Sequence, residues 1–441
     1  SGAAACRHRE YCQERKRTVT VAPDQYLERL PRVLGRYSPV IVDHGEGSYI
    51  WGHDGRRYLD FTTGIGVTNT GHCHPAVVKA IQDQAAKIIH AQANILIHEP
   101  MIELMDELTS TMPDKLNAVF FANSGAEAIE AAVKLAKIAT GRPAIVAFRG
   151  AFHGRTHLAM SLTTSRVKVR GHYEPLLPSI YHTPFPYPFR NPYATDPSDA
   201  CITELERLFE TVVMPDDVAA IIVEPIQGEG GYIVPPDDFL GRVREICDRH
   251  GILLIADEIQ TGVGRTGRWW AFEHSNFVPD IVAVAKGIAS GMPMSAIVAP
   301  QEIMDAWAPG SHGGTYGGNA VTCAAGVATF RAIRDEGMIA NAVTMGQRMM
   351  DGLDRIAERN PLIGDVRGKG LMVAAEFVTP SGKPNPGAVA SVVARSIDDG
   401  VLLLTAGTWD QAIRIIPPLN VSADEIDEFL TVFEAAADAA R

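Results

Sequence analysis

The sequence predicts an α/β fold, with a mostly parallel central sheet flanked by helices and a smaller α+β domain beside it. Three observations carry that expectation. Short apolar, β-rich runs recur through the middle of the chain; helical patterns separate several of them; and the rhythm changes after about residue 330.

Taken in order, residues 1 to 23 are polar and basic and read as a loosely attached arm. From GEGSYIWGHDGRRYLDF (45–61), glycine and Asp-Gly punctuation between short apolar alternations predicts hairpin strands. The runs NAVFFA (117–122), AIVAF (144–148), AAIIVEPI (219–226), GILLIADEI (251–259), DIVAVAK (280–286) and SAIVA (295–299) are the expected core strands. EAIEAAVKLAKIAT (127–140) and DDFLGRVREICDRH (237–250) carry the 3.6-residue period of helices that cover a sheet. The proline-rich stretch YHTPFPYPFRNPY (181–193) reads as an extended surface loop. Beyond residue 330 one long helix, AGVATFRAIRDEGMIANAVTMGQRMMDGLDRIAE, leads to RGKGLMVAAEF and a final helix near 423 to 440.

Bulk properties narrow the classes. At 441 residues the chain exceeds what a single core usually organises. Forty basic against fifty-two acidic side chains give a net charge of -12, which argues against non-specific nucleic-acid binding. No apolar run is long enough to span a bilayer, and the start does not read as a signal segment. Six cysteines without a CxxC pair suit a reduced, cytoplasmic protein. His72-Cys73-His74 has metal-ligand chemistry. Adjacent residues of an extended stretch point opposite ways, however, and no second cluster completes a site, so no metal is expected.

In open parallel sheets ligands bind outside the carboxyl ends of the strands. Reactive residues gather at those ends here. NAVFFA runs into Asn123-Ser124-Gly125-Ala126, AIVAF into GAFHGRT (150–156), AAIIV into Glu224, GILLIA into Asp257 and DIVAVA into Lys286. Lys286 is either a strand-capping, salt-bridged surface residue or an imine-forming amine, which needs desolvation beside an electron sink. Asp257 is either a helix cap or the partner of a protonated pyridine nitrogen. Ser124-Gly125-Ala126 is either a capped strand-to-helix turn or a phosphate seat made of helix N-terminal amides. Phe152 is either core or a ring stacked on a cofactor. Together these groups call for a phosphorylated, pyridine-like, imine-forming cofactor, and pyridoxal 5′-phosphate fits.

NSGAEAIEAAVKLAK, AFHGRT, VEPIQGEGG, LLIADEIQTGVGRTG, AVAKGIASGMP and GGTYGGNAVTCAA resemble the class III pyridoxal-phosphate aminotransferases, over most of the chain. The likeness is greatest to the members that act on 4-aminobutyrate. It implies fold-type-I architecture, with residues 1–60 as arm and part of the small domain, 61–330 as the large cofactor-binding domain and 331–441 as the C-terminal small domain.

By matching motif, the resemblance makes Lys286 the cofactor-bonded lysine and proton carrier, and Asp257 the pyridine-nitrogen partner. Gln260 meets the phenolic oxygen, and Gly125 and Ala126 hold the phosphate, although relatives often carry a hydroxyl at the position of Ala126. Phe152 replaces a tyrosine of some relatives and His153 follows it; Glu224 stands among the cofactor-binding residues. A homodimer is implied, with Thr315 reaching the neighbouring subunit's phosphate.

Arg155 is either a salt-bridged surface residue or the anchor for an ω-amino acid's carboxylate. Ile65 is either pocket wall or core. Glu229 and Arg414 match the family's gate, in which the glutamate hides the arginine from ω-amino acids and releases it for an α-carboxylate. The resulting expectation is ping-pong transfer from 4-aminobutyrate to 2-oxoglutarate. Other ω-amino acid, amine or acetylornithine transaminases, an aminomutase or epimerase, and a non-catalytic binding protein are the alternatives.

Overall fold

The computed structural model describes Leu27, residues 29–275 and residues 277–441. The arm expected over residues 1 to 23 lies outside them.

The central sheet has seven strands, in the order Ala118–Ala122, Ser295–Ala299, Ile281–Val284, Leu253–Asp257, Val218–Val223, Ala144–Phe148, Ile180–Thr183. The last five run parallel. Ser295–Ala299 is antiparallel to both of its neighbours. Val218–Val223 and Ile281–Val284 are buried at every residue, as strands covered on both faces must be. Branched apolar side chains without alternation therefore encode the interior of the sheet.

The helix Gly125–Thr140 packs on one face through small residues, Ala128, Ala131, Ala132 and Ala136, all buried. Short side chains let its axis approach the strands closely. The Ser124 hydroxyl accepts from the Glu127 N–H at its start, and Gly141, at φ +70°, ends it.

Two further sheets flank this core. Val42–Glu46, Tyr49–Gly52 and Arg57–Asp60 form the expected hairpins and are joined in parallel by Val401–Leu402. Ile363–Lys369, Met372–Phe377, Ala412–Ile415 and Leu404–Ala406 make an antiparallel sheet, in which Arg414 stands opposite Ala374 and Leu404. The closing helix runs Ala423–Ala439, with a capping box at Ser422 and Glu425.

Three expectations need correction. The long helix is two, Ala320–Asp335 and Met338–Ala357, because Gly337 takes φ +65° and breaks the hydrogen-bond ladder. The proline-rich stretch is not a surface loop. Ile180–Thr183 pairs with Ala144–Phe148 as an edge strand, and the prolines begin only where it stops. Phe185 then buries its ring edge-on to Phe148 and Phe239, and the side chains of Tyr187 and Arg190 bond the buried carboxylate of Glu376.

Nor is His72-Cys73-His74 extended, since Cys73 has φ +52°. His72 lies 2.8 Å from Asp60 and His74 lies 3.0 Å from Glu336, so the two imidazoles serve different carboxylates. Among the described residues no helix is long and apolar enough to cross a membrane.

Candidate active site

A cavity of about 400 Å³ opens at the carboxyl ends of the central strands. Its wall brings together Ser124, Gly125, Ala126, Phe152, His153, Glu224, Glu229, Asp257, Gln260 and Lys286. Ten expected residues from five segments thus meet in one crevice.

Lys286 sits where the buried strand Ile281–Val284 turns into the short 3-10 segment Lys286–Ala289, and it holds φ +50°. A non-glycine residue in the left-handed region is strained, so surrounding packing fixes the turn. Gly287 allows it: a Cβ there would lie 2.3 Å from Asn69. Burial disfavours the charged amine and holds its pKa down to about 8. The lysine at the end of this buried strand is therefore an amine more easily neutral than an exposed one.

Asp257 is buried at the end of the neighbouring strand. One oxygen accepts from the Ile259 N–H at 3.1 Å, and the other lies 2.7 Å from His153 Nδ1. His153 is held in turn by its backbone N–H, which donates to Thr163 Oγ1 at 2.9 Å. That support was not legible in the motif, where His153 is merely the residue after Phe152.

Glu224 takes a backbone N–H on each oxygen, from Phe152 and from Gly228, both at 2.8 Å. It fixes the loop that carries the Phe152 ring. Burial, reinforced by the charge of Asp257 and opposed by His153, raises its pKa to about 7.

Glu229 and Arg414 form an ion pair across the cavity's edge. Arg414 is 1% exposed and Glu229 21%, so the glutamate covers the arginine. Arg414 Nε has no partner among the described residues. Burial opposes the charge on Glu229, but Arg414 and then Lys286 outweigh it and hold the carboxyl below its ordinary pKa.

Four expected residues are not part of the cavity wall: Arg414, which meets it through Glu229, and Arg155, Ile65 and Thr315. Arg155 is exposed, its guanidinium carbon 5.7 Å from the Phe152 ring centre. Ile65 is 36% exposed, and Val67 occupies the wall instead. Thr315 is exposed in a glycine-rich loop. The wall also includes Ile259, Met292 and Met294, which sequence reading left unassigned because apolar residues near a strand end look like core.

The residues fit pyridoxal phosphate. The N-terminus of a sixteen-residue helix at Gly125 presents amides for a phosphate. Asp257 presents a carboxylate, Lys286 an amine and Phe152 a ring face. Gln260 Oε1 is buried without a partner among the described residues, an unmet polar atom of the kind a bound ring substituent would satisfy.

The sequence pattern of the family described as Aminotransferase class-III matches residues 34–437. The 4-aminobutyrate aminotransferase of Escherichia coli is 39% identical over 418 residues, covering 94% of this chain and 97% of that protein. The 5-aminovalerate aminotransferase of Pseudomonas aeruginosa is also 39% identical, over 93% of this chain and 96% of its own. Among solved structures, an amine transaminase from an uncultivated Pseudomonas species, in its pyridoxal-phosphate-bound form, superposes with a TM-score of 0.87. It is 31% identical and covers 97% of this chain and 98% of its own.

Proposed function

Since the chain belongs to the class-III aminotransferases, which makes it a pyridoxal-phosphate-dependent transaminase, we propose that it moves the amino group of an ω-amino acid to 2-oxoglutarate. 4-Aminobutyrate is the first-choice donor, with succinic semialdehyde and glutamate as products. The covered ion pair Glu229–Arg414 carries this reading. An enzyme for α-amino acids alone has no use for hiding its α-carboxylate arginine, whereas one that alternates between donors with and without that group does.

Pyridoxal phosphate, when bound, supplies an aldehyde carbon that takes up amino groups and a pyridinium ring that withdraws electrons. The amides of Ser124, Gly125 and Ala126 would hold its phosphate, and Phe152 would pack against the ring. Asp257, steadied by His153, would pair with the ring nitrogen and keep it protonated. Gln260 would meet a polar substituent of the ring. Lys286 Nζ takes the proton from the donor's amine-bearing carbon and returns it on the way to product, and its lowered pKa keeps more of the amine neutral near pH 7. Arg155, at the rim beside Phe152, takes the donor's carboxylate. Ile259, Met292 and Met294 limit water at the reacting carbon.

The same reading includes a homodimer. Ile95, Leu96 and Ile97 are 77%, 59% and 61% exposed, an apolar run that water does not favour. Gln92, just before them, donates to the carbonyl of Gly314, next to Thr315. Thr315, exposed and not part of its own cavity's wall, serves the partner's phosphate. A reducing cytoplasm suits the thiols: among the described residues Cys73, Cys201, Cys247 and Cys323 are unpaired.

The test is a half-reaction followed by absorbance. Holoenzyme mixed with 4-aminobutyrate alone loses its band near ~415 nm for one near ~330 nm, and 2-oxoglutarate reverses the change. Conversion only by ornithine derivatives or simple amines moves the donor. Exchange of the substrate proton in deuterated water without net transfer indicates an isomerase.

A further inference from the structure

Arg166 stands just before the short turn Val167–Arg170 and is 8% exposed. Its Nη1 lies 2.5 Å from Asp410 Oδ1. Its Nε and Nη2 are buried and have no hydrogen-bond partner among the described residues. A guanidinium with one edge engaged and the other open inside the protein is costly, because each buried N–H forfeits its water.

Asp410 is itself held with care. It occupies φ +56°, its carboxylate accepts from Thr405 Oγ1 at 2.9 Å, and its N–H donates to the carbonyl of Gly407. Gly407 N–H donates in turn to the backbone carbonyl of Glu229 at 3.0 Å. One tight turn thus touches Arg166 through a side chain and Glu229 through its backbone. The sequence of charges is Asp410, Arg166, Glu229, Arg414, alternating in sign.

Resting on the transaminase reading above, we propose that Arg166 is the second berth of Glu229. When an α-carboxylate claims Arg414, the Glu229 carboxylate turns to the open Nε and Nη2 edge of Arg166, which Asp410 holds in place to receive it. Without such a berth, opening the gate would leave a largely buried carboxylate unpaired. The charge of Arg166 already reaches Glu229 in the closed arrangement: against the opposing effect of burial, it adds to Arg414 and Lys286 in favouring the ionised carboxyl. Arg166 is a positioning residue; it acts through Glu229.

The test compares two acceptors on one enzyme form, the pyridoxamine-loaded protein. 2-Oxoglutarate has an α-carboxylate and needs the gate open; succinic semialdehyde lacks it and does not. In R166Q, kcat/KM for 2-oxoglutarate is expected to fall ~10- to 100-fold while that for succinic semialdehyde changes less than ~3-fold. R166K, which keeps the charge, recovers part of the loss, and D410N shows a smaller loss of the same selectivity. If R166Q does not fold, R166K and D410N decide the matter by the same ratio. Equal losses with both acceptors, or no loss with either, overturn the proposal. R414Q is run alongside: if it too fails to discriminate, the gate fails, whereas a selective R414Q with a non-selective R166Q sinks only the berth.

Discussion

His153 Nδ1 lies 2.7 Å from a carboxylate oxygen of Asp257, and both side chains are buried. The aspartate that faces the cavity is thus braced from behind by an imidazole, and its other oxygen is held by the Ile259 N–H. Neither oxygen is free to swing.

That brace is testable. H153F removes a hydrogen bond to a charged group, a loss of ~1.5–3 kcal/mol, and should lower both pyridoxal-phosphate affinity and the half-reaction rate by ~10- to 100-fold. H153N, whose amide can stand in for Nδ1–H, should retain most of both. Equilibrium dialysis of the cofactor and single-turnover absorbance give the two numbers.

The lowered pKa of Lys286 sets a pH profile. Burial favours the neutral amine, so the apoprotein should capture pyridoxal phosphate with a rate that rises through about pH 8. An unperturbed lysine would rise near ~10.4 instead. Stopped-flow absorbance across pH 6 to 10 distinguishes them, and K286A should abolish both capture and turnover.

Glu258 carries a stability signal. Burial raises its pKa to about 7, above the 4.5 usual for glutamate. Between those values the folded chain holds a proton that the unfolded chain has lost. The stability this contributes is complete below about 4.5 and disappears as the pH climbs through about 7. One oxygen accepts from the Phe272 N–H and the other from Thr261 Oγ1. In E258Q the amide oxygen keeps the first bond, and the amide NH₂ donates to the Thr261 hydroxyl. The difference in Tm between variant and parent apoprotein should therefore shift in favour of E258Q as the pH rises from 5 to 8. A difference independent of pH would remove Glu258 from the account.

Subunit sharing has its own signature. K286A lacks its lysine and T315A weakens the seat on its neighbour. A hybrid dimer carries one site with both residues intact. Refolding an equal mixture should restore about a quarter of wild-type sites. No gain above the T315A background would place Thr315 outside the partner's site.

Much of the site was legible because its residues mark strand ends, where β-rich runs stop at a charge or a glycine. Lys286, Asp257 and Glu224 could be placed from that pattern alone. The Ile180–Thr183 strand was obscured by the prolines that follow it, although none lies within it. Gly337 sat in a helical period that continues on both sides, and only its positive φ reveals the break. The pairs His153–Asp257 and Arg166–Asp410 join positions 104 and 244 residues apart. No local period reports such a meeting; the topology of the sheet creates it.

One strand of that sheet runs against the rest. Ser295–Ala299 threads between Ile281–Val284 and Ala118–Ala122, pairing Ser295 with Ala122 just ahead of the Gly125 helix. During synthesis the seat for the phosphate emerges early and waits, its strand unmatched on that edge, until residue 299 has left the ribosome. The nascent chain therefore has a long interval in which an apolar strand is open to the wrong neighbour. Assembly of the reactive centre is among the last events in making the large sheet, so truncated chains should be chaperone clients and not weak catalysts.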